Sequence, residues 1–333
     1  MLPLLSTASR HPLPDWNACA AEAEAASLDA AGLGRFYTER GREWVHLLRD
    51  SFGKGYRGYE SPNFWLVSSE PDATCQRLIE WAESIRAKVI KALALDHSGQ
   101  LYGKCPMIVA HDLDAYYDYI AQYLSDGEHA LTGGIYLNVG YGHFVFTFHD
   151  MNNAELVLAH ELAHALVSHL PLPLWLNEGI AQLCEVAVTG RDTTPYEEVH
   201  EKFDSYWTGE TIQQLWNGEG FNRQDEGQQQ SYYLARLLTR NLTGDIQRFR
   251  SFVHEADASD AGTAALLKPY GIRLSDMVAQ HLGDGDWAPR LPLWTPPESV
   301  PDHPAALPSR RSHSPSSHDA RWRPNPVSVL LSS

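Results

Sequence analysis

The chain has 333 residues, 43% hydrophobic and 20% charged, with a formal net charge of −16. That length can bury a substantial core in one large domain or two modest ones, and the composition is that of a globular protein. The acidic balance repels phosphate backbones and anionic headgroups, which argues against a nucleic-acid or electrostatic membrane partner. No apolar run reaches transmembrane length. The opening MLPLLSTASRHPLPDW lacks the basic region and apolar run of a secretory signal, so the expected compartment is the cytoplasm. The four cysteines, Cys19, Cys75, Cys105 and Cys184, form no C-x-x-C pair and read as reduced, mostly buried thiols.

In chain order, Asn17–Ala31 reads as a helix closed by Gly32, and a second helix runs from Leu33 to Arg49. The segment SFGKGYRGYESP is a glycine-rich break; it lacks the G-K-[ST] ending of a phosphate loop. Asn63–Ser68 reads as a strand. Pro71–Leu93 carries apolar residues at helical spacing, among them Leu78, Ile79, Ala82, Ile85 and Val89. Cys105–Ala110 is a short apolar strand, and Leu113–Leu124 a helix capped by Asp112. Gly134–Val139 and His143–Phe148, joined by Gly140-Tyr141-Gly142, predict a hairpin. Its first strand is a candidate edge for an extended peptide, with Gly133 and Gly134 permitting close approach. From Asn153 to about Leu282 the pattern is mostly helical. After Trp287 the chain turns rich in Pro, Ser, Arg and His, too poor in apolar surface to offset its ordering entropy. The expected organisation is an N-terminal helical extension (1–60), a main domain (61–288) divided into a sheet part (61–149) and a helical part (150–288), and a disordered tail (289–333). The fold class is α+β, a small mixed or antiparallel sheet followed by a mostly helical subdomain.

The chemistry concentrates in NAELVLAHELAHALVSHL, residues 153–170. It contains neither Pro nor Gly, is capped by Asn152 or Asn153, and stops near Pro171. His160-Glu161-Leu162-Ala163-His164 is H-E-x-x-H. On a helix, residues four apart share a face, so two imidazoles can grip one Zn²⁺, with Glu161 placed as a base and not a ligand. Chance produces this pattern in roughly one chain of this composition in twenty, so a third ligand is required. Glu178 supplies it. Pro173–Glu185 reads as a second helix after a short Pro-rich turn, which can return it antiparallel to the first and bring the carboxylate to the metal. Two His and one Glu leave a coordination position open, as in catalytic rather than structural zinc sites. One zinc per chain is expected. His143, His149, His169 and His200 read as surface or hydrogen-bonded histidines; His169, five residues after His164, is turned off the metal face.

H-E-L-A-H followed by W-L-N-E-G-I-A resembles the gluzincin metallopeptidases, and most nearly the peptidase-MA-like proteins, over about Asn63 to Val253. The resemblance implies a zincin-like helical subdomain, His160, His164 and Glu178 as zinc ligands, and Glu161 as general base. The chain departs from the pattern in three places. Where many gluzincins carry a Tyr that supports the oxyanion, this chain has Gln228. Tyr232 or Tyr233, one turn on, is a candidate replacement, with core aromatics as the alternative. The acidic residue four after the ligand Glu is Gln182, a candidate to orient a ligand His through its amide oxygen. The G-x-M-E-N signature of related aminopeptidases is absent, leaving aminopeptidase activity unsupported.

The expected activity is hydrolysis of peptide bonds in a peptide or protein substrate, with Glu161 accepting a proton from the attacking water. The alternative is a catalytically impaired zincin-like protein that uses the zinc site for structure or peptide binding. A zinc hydrolase acting on a non-peptide amide is a third reading.

Overall fold

The computed structural model describes residues 2–6, 9–95, 103–124, 132–192, 196–294 and 329–331. The architecture is mixed α+β, in two compact units: residues 1–90, 95–169 and 300–333 form one, and 91–94 with 170–299 the other.

The first unit opens with a small antiparallel pair, β1 (Leu4–Ser6) and β2 (Leu13–Pro14). Two helices follow, α1 (Trp16–Ala25) and α2 (Ala30–Phe52). Gly32, expected to close the first helix, lies instead in the first turn of α2. Asp29 caps that turn, its carboxylate accepting from Gly32 N at 2.7 Å. Along α2, Tyr37, Gly41, Trp44, Val45 and Leu48 are buried, the stripe of an amphipathic helix against a core. Contact with the sheet is tight: a Cβ at Gly41 would stand 2.7 Å from the Trp65 ring.

The glycine-rich break contains a strand the sequence did not suggest, β3 (Arg57–Glu60). Its side chains are largely exposed, so no apolar alternation marks it; backbone pairing with β4 (Phe64–Ser68) defines it. After α3 (Asp72–Leu93) come β5 (Cys105–Ala110), α4 (Leu113–Ile120), β6 (Thr132–Leu137), β7 (His143–Thr147) and α5 (Met151–Val167). Asp112 caps α4 as expected, accepting from Ala115 N at 2.8 Å. The strands form a mixed sheet in the order β3-β4-β5-β7-β6. β4, β5 and β7 run parallel; β3 and β6 are antiparallel to their neighbours. The central parallel strands are continuous apolar runs because both faces are covered. β6 and β7 form the expected hairpin, Ile135 opposite Val145 and Leu137 opposite His143.

One core joins Trp16, Cys19, Tyr37, Trp44, Val45 and Leu48 to Trp65, Val67, Ile108 and Val145. Residues 1–60, expected as a separate extension, thus belong to the sheet's own unit, because α1 and α2 supply the aromatics that cover one face of it. Within this core His143 is fully buried, its Nε2 2.8 Å from the Tyr119 hydroxyl and its Nδ1 2.8 Å from the Tyr141 carbonyl. The carbonyl can only accept, so Nδ1 carries the proton and Nε2 accepts from Tyr119. Burial pulls the His143 pKa down to about 4.

The second unit is helical: α6 (Leu174–Thr189), α7 (Tyr196–Tyr206), α8 (Thr211–Asn217), α9 (Glu226–Leu242), α10 (Ile246–Glu255), α11 (Thr263–Tyr270) and α12 (Leu274–Leu282). α6 is held by the Trp175 indole, which donates to Ala261 O at 3.0 Å. Arg236 of α9 forms a two-pronged ion pair with Asp192.

Most of the expected tail lies outside the described residues, but its two described stretches depart from the expectation. Arg290 N donates to Gln213 Oε1 at 2.8 Å and its guanidinium pairs with Glu210 and Asp286, so polar contacts anchor the chain past residue 289. Val329–Leu331, an apolar triplet, forms a further strand, β8, antiparallel to β6.

Candidate metal centre

α5 begins at Asp150, not at the asparagines expected to cap it. The Asp150 side chain accepts from Asn153 N at 2.9 Å, and Asn152 and Asn153 fall inside the first turn. From Val157 through His164 every residue of α5 is buried, as in a helix enclosed on all sides. His160, Glu161 and His164 are 0%, 1% and 3% exposed. The two imidazoles stand one turn apart, ring centroids 4.6 Å from each other and planes at 71°.

Glu161 is held by the sheet. Its Oε2 accepts a hydrogen bond from the backbone N–H of Tyr136 on β6, at 2.6 Å. A strand amide therefore sets the orientation of the carboxylate, a restraint with no signal in the sequence because any residue type offers the same N–H. α5 and β6 also approach closely: a Cβ on Gly134 would lie 2.5 Å from Val157 Cγ1 and 2.8 Å from Phe146 Cβ. The space that a side chain at Gly134 would need is thus taken by α5 and Phe146.

Glu178 is fully buried on α6. The glycine after it has a steric cause. A Cβ on Gly179 would stand 1.9 Å from Thr239 Oγ1 and 2.8 Å from the Ala235 carbonyl, so α6 and α9 pack backbone to backbone there. Gln182, expected to orient a ligand histidine through its oxygen, uses its amide nitrogen on Tyr232 O at 3.0 Å and Glu178 O at 3.3 Å, a clamp between α6 and α9.

Ligand-capable atoms of His160, His164 and Glu178 all lie within 4.8 Å of one another; these are the only three His, Cys, Asp or Glu so grouped among the described residues. The donor set fits zinc: two imidazole nitrogens and a carboxylate oxygen, all on buried side chains. Ligand atoms at about 2.0–2.2 Å from one ion stand roughly 3.4 Å apart, so modest side-chain closure suffices.

The other sequence candidates make these contacts. Tyr233 is buried against Phe203, ring centroids 5.1 Å apart. Tyr232 meets Phe221 edge-on at 5.2 Å. The Gln228 amide donates to Phe221 O at 2.9 Å. His149 and His200 are exposed, and His143 belongs to the aromatic core. The cysteines are free thiols, Cys19 and Cys75 buried and the other two half-buried.

No model of a known protein family matches this chain, and no curated protein matches it. No helix among the described residues is long and apolar enough to cross a membrane.

Proposed function

We propose that this protein is a zinc-dependent hydrolase, most specifically a metallopeptidase of the gluzincin type, with His160, His164 and Glu178 as metal ligands and Glu161 as general base. The observation that carries the reading is the buried grouping of two imidazoles and a carboxylate with a second buried carboxylate, Glu161, adjacent in sequence to a ligand. A bound zinc would supply Lewis acidity toward the scissile carbonyl and acidify water. Glu161 then does the proton work: it takes a proton from the attacking water and returns it to the leaving amine. The Tyr136 N–H keeps its carboxylate aligned for both transfers, as preorganisation requires. Substrate is a peptide or protein chain.

The test combines metal analysis with turnover of an unstructured peptide library. Glu161→Gln should retain about one zinc per chain and lose turnover by a factor on the order of 10²–10⁴. His160→Ala and Glu178→Ala should both lose the metal. Zinc retained in full by both ligand variants, or a Glu161→Gln protein that turns over peptide like the parent, refutes the proposal.

A further inference from the structure

The connection between β6 and β7 is buried, where a hairpin tip ordinarily lies on the surface. Tyr141, within it, is 1% exposed. Three tryptophan rings stand around it: Trp16 of α1 at 5.0 Å between centroids, Trp44 of α2 at 6.0 Å and Trp65 of β4 at 6.5 Å. Its hydroxyl donates to the Lys104 carbonyl at 2.8 Å, so the ring is fixed at its far end as well as by its walls. The residue before it, Gly140, has φ +59°, and a Cβ there would lie 2.4 Å from Trp16 Cδ1. Trp44 also meets the ring of His143, the first residue of β7, edge-on at 4.9 Å. The hairpin tip is therefore held by α1 and α2. Five residues before Tyr141 in the chain, Tyr136 gives its N–H to the Glu161 carboxylate.

We infer that Tyr141 is a positioning residue: seated among Trp16, Trp44 and Trp65, it locks the β6–β7 hairpin so that the Tyr136 amide stays on the Glu161 carboxylate. The role of Glu161 as base rests on the hydrolase reading; the anchorage of the hairpin does not. A hydrogen bond of 2.6 Å between a strand and a helix survives only small displacements, because it weakens steeply as its angle closes. β6 is paired with β7, but the two strands can move together, and the aromatic seat at their shared tip opposes that motion. The N-terminal helices thereby act on the alignment of Glu161 as well as covering the sheet. Antiparallel alternation makes the effect local. Tyr136 turns its N–H away from β7, so the N–H groups of its neighbours Ile135 and Leu137 face β7. Displacement of the hairpin as a body exposes the Tyr136 amide and leaves those two paired.

The experiment compares the full-length, zinc-loaded parent with Tyr141→Leu, Trp16→Leu and Tyr141→Phe. Trp16→Leu removes one wall of the seat and carries the test where Tyr141→Leu fails to fold. Tyr141→Phe keeps the ring and gives up only the bond to Lys104. The readouts are residue-resolved amide exchange along β6, zinc content, and kcat and KM on an unstructured peptide. In the leucine variants the Tyr136 amide should exchange faster by on the order of tenfold while Ile135 and Leu137 keep parental rates. The value of kcat should fall by on the order of tenfold, with KM and zinc content unchanged, since a misplaced proton-transfer group acts on the chemical step. Tyr141→Phe should match the parent in exchange and in kcat. Parental Tyr136 exchange in the folded leucine variants overturns the inference. So does equal acceleration of all three amides, which marks a seat that stabilises without positioning, and so does selective exchange with parental kcat. A Tyr141→Phe chain that behaves like the leucine variants overturns it as well. Selective exchange with no turnover in any form, the parent included, supports the anchorage and sinks the hydrolase reading instead.

Discussion

His143 gives the sharpest test of how the first unit is held together. Its ring is fully buried between Trp44, Tyr119 and Tyr123, and its pKa is pulled down to about 4. In the unfolded chain it titrates near the ordinary value of about 6.5. A depressed folded-state histidine binds its proton less readily than the unfolded one. The unfolded state therefore gains protons first as pH falls, and stability is lost between about pH 6.5 and pH 4. At pH 5 the unfolded imidazole is almost wholly charged and the folded one almost wholly neutral. The difference is worth about 2 kcal/mol, rising to about 3 kcal/mol below pH 4. The assay is urea unfolding of the parent and of His143→Gln at pH 7.5, 6.5, 5.5 and 5, at fixed metal content. Gln cannot titrate, so the parent should lose about 2 kcal/mol more than the variant between pH 7.5 and 5, whatever the variant's absolute stability. His11, buried and held at about 4 chiefly by desolvation, titrates in both proteins and cancels. Parallel stability curves for the two proteins would refute the reasoning, because they would mean that His143 is protonated as easily in the fold as in water.

Other perturbations probe the frame of the metal centre. Gly179→Ala should destabilise the chain by about 1–3 kcal/mol or more through collision with Thr239 and the Ala235 carbonyl, read by thermal unfolding; a neutral result would mean that α6 and α9 do not approach as described. Gly134→Ala should cost a similar amount and be partly rescued by Val157→Ala, since Val157 Cγ1 is the nearest atom to the added methyl; strict additivity of the two changes counts against that contact. Asp150→Ala removes the cap of the histidine-bearing helix and should cost about 1 kcal/mol, whereas Asn152→Ala should leave unfolding midpoints nearly unchanged. Glu178→Gln should weaken zinc retention during dialysis against a chelator more than Gln182→Ala does, because only Glu178 offers a carboxylate oxygen to the group.

The local chemistry is legible in the sequence. His160 and His164 share a face because they are four apart in a segment with nothing to break a helix, and helical periodicity is a property of the backbone. Cys105–Ala110, the β6–β7 hairpin and the Asp112 cap were legible for the same reason: each depends on residues within a few positions of one another. The α5 cap lies two or three positions before the expected asparagines because Asp150, Asn152 and Asn153 are all competent caps, and the choice depends on which residue takes extended φ and ψ.

What the sequence by itself determined about this protein was therefore the identity of the chemical groups and their spacing along one helix. Tertiary structure decided the rest. β3 exists through its partner's backbone and not its own pattern. The N-terminal helices belong to the sheet's core because their aromatics meet Trp65 and Ile108 there. Glu161 is aligned by the amide of Tyr136, Gly179 is required by a helix sixty residues away in the chain, and an apolar triplet near the C-terminus pairs with β6. Each of these is a contact between residues distant in sequence, and the local spacing of side chains along the chain does not encode which distant partner an element meets.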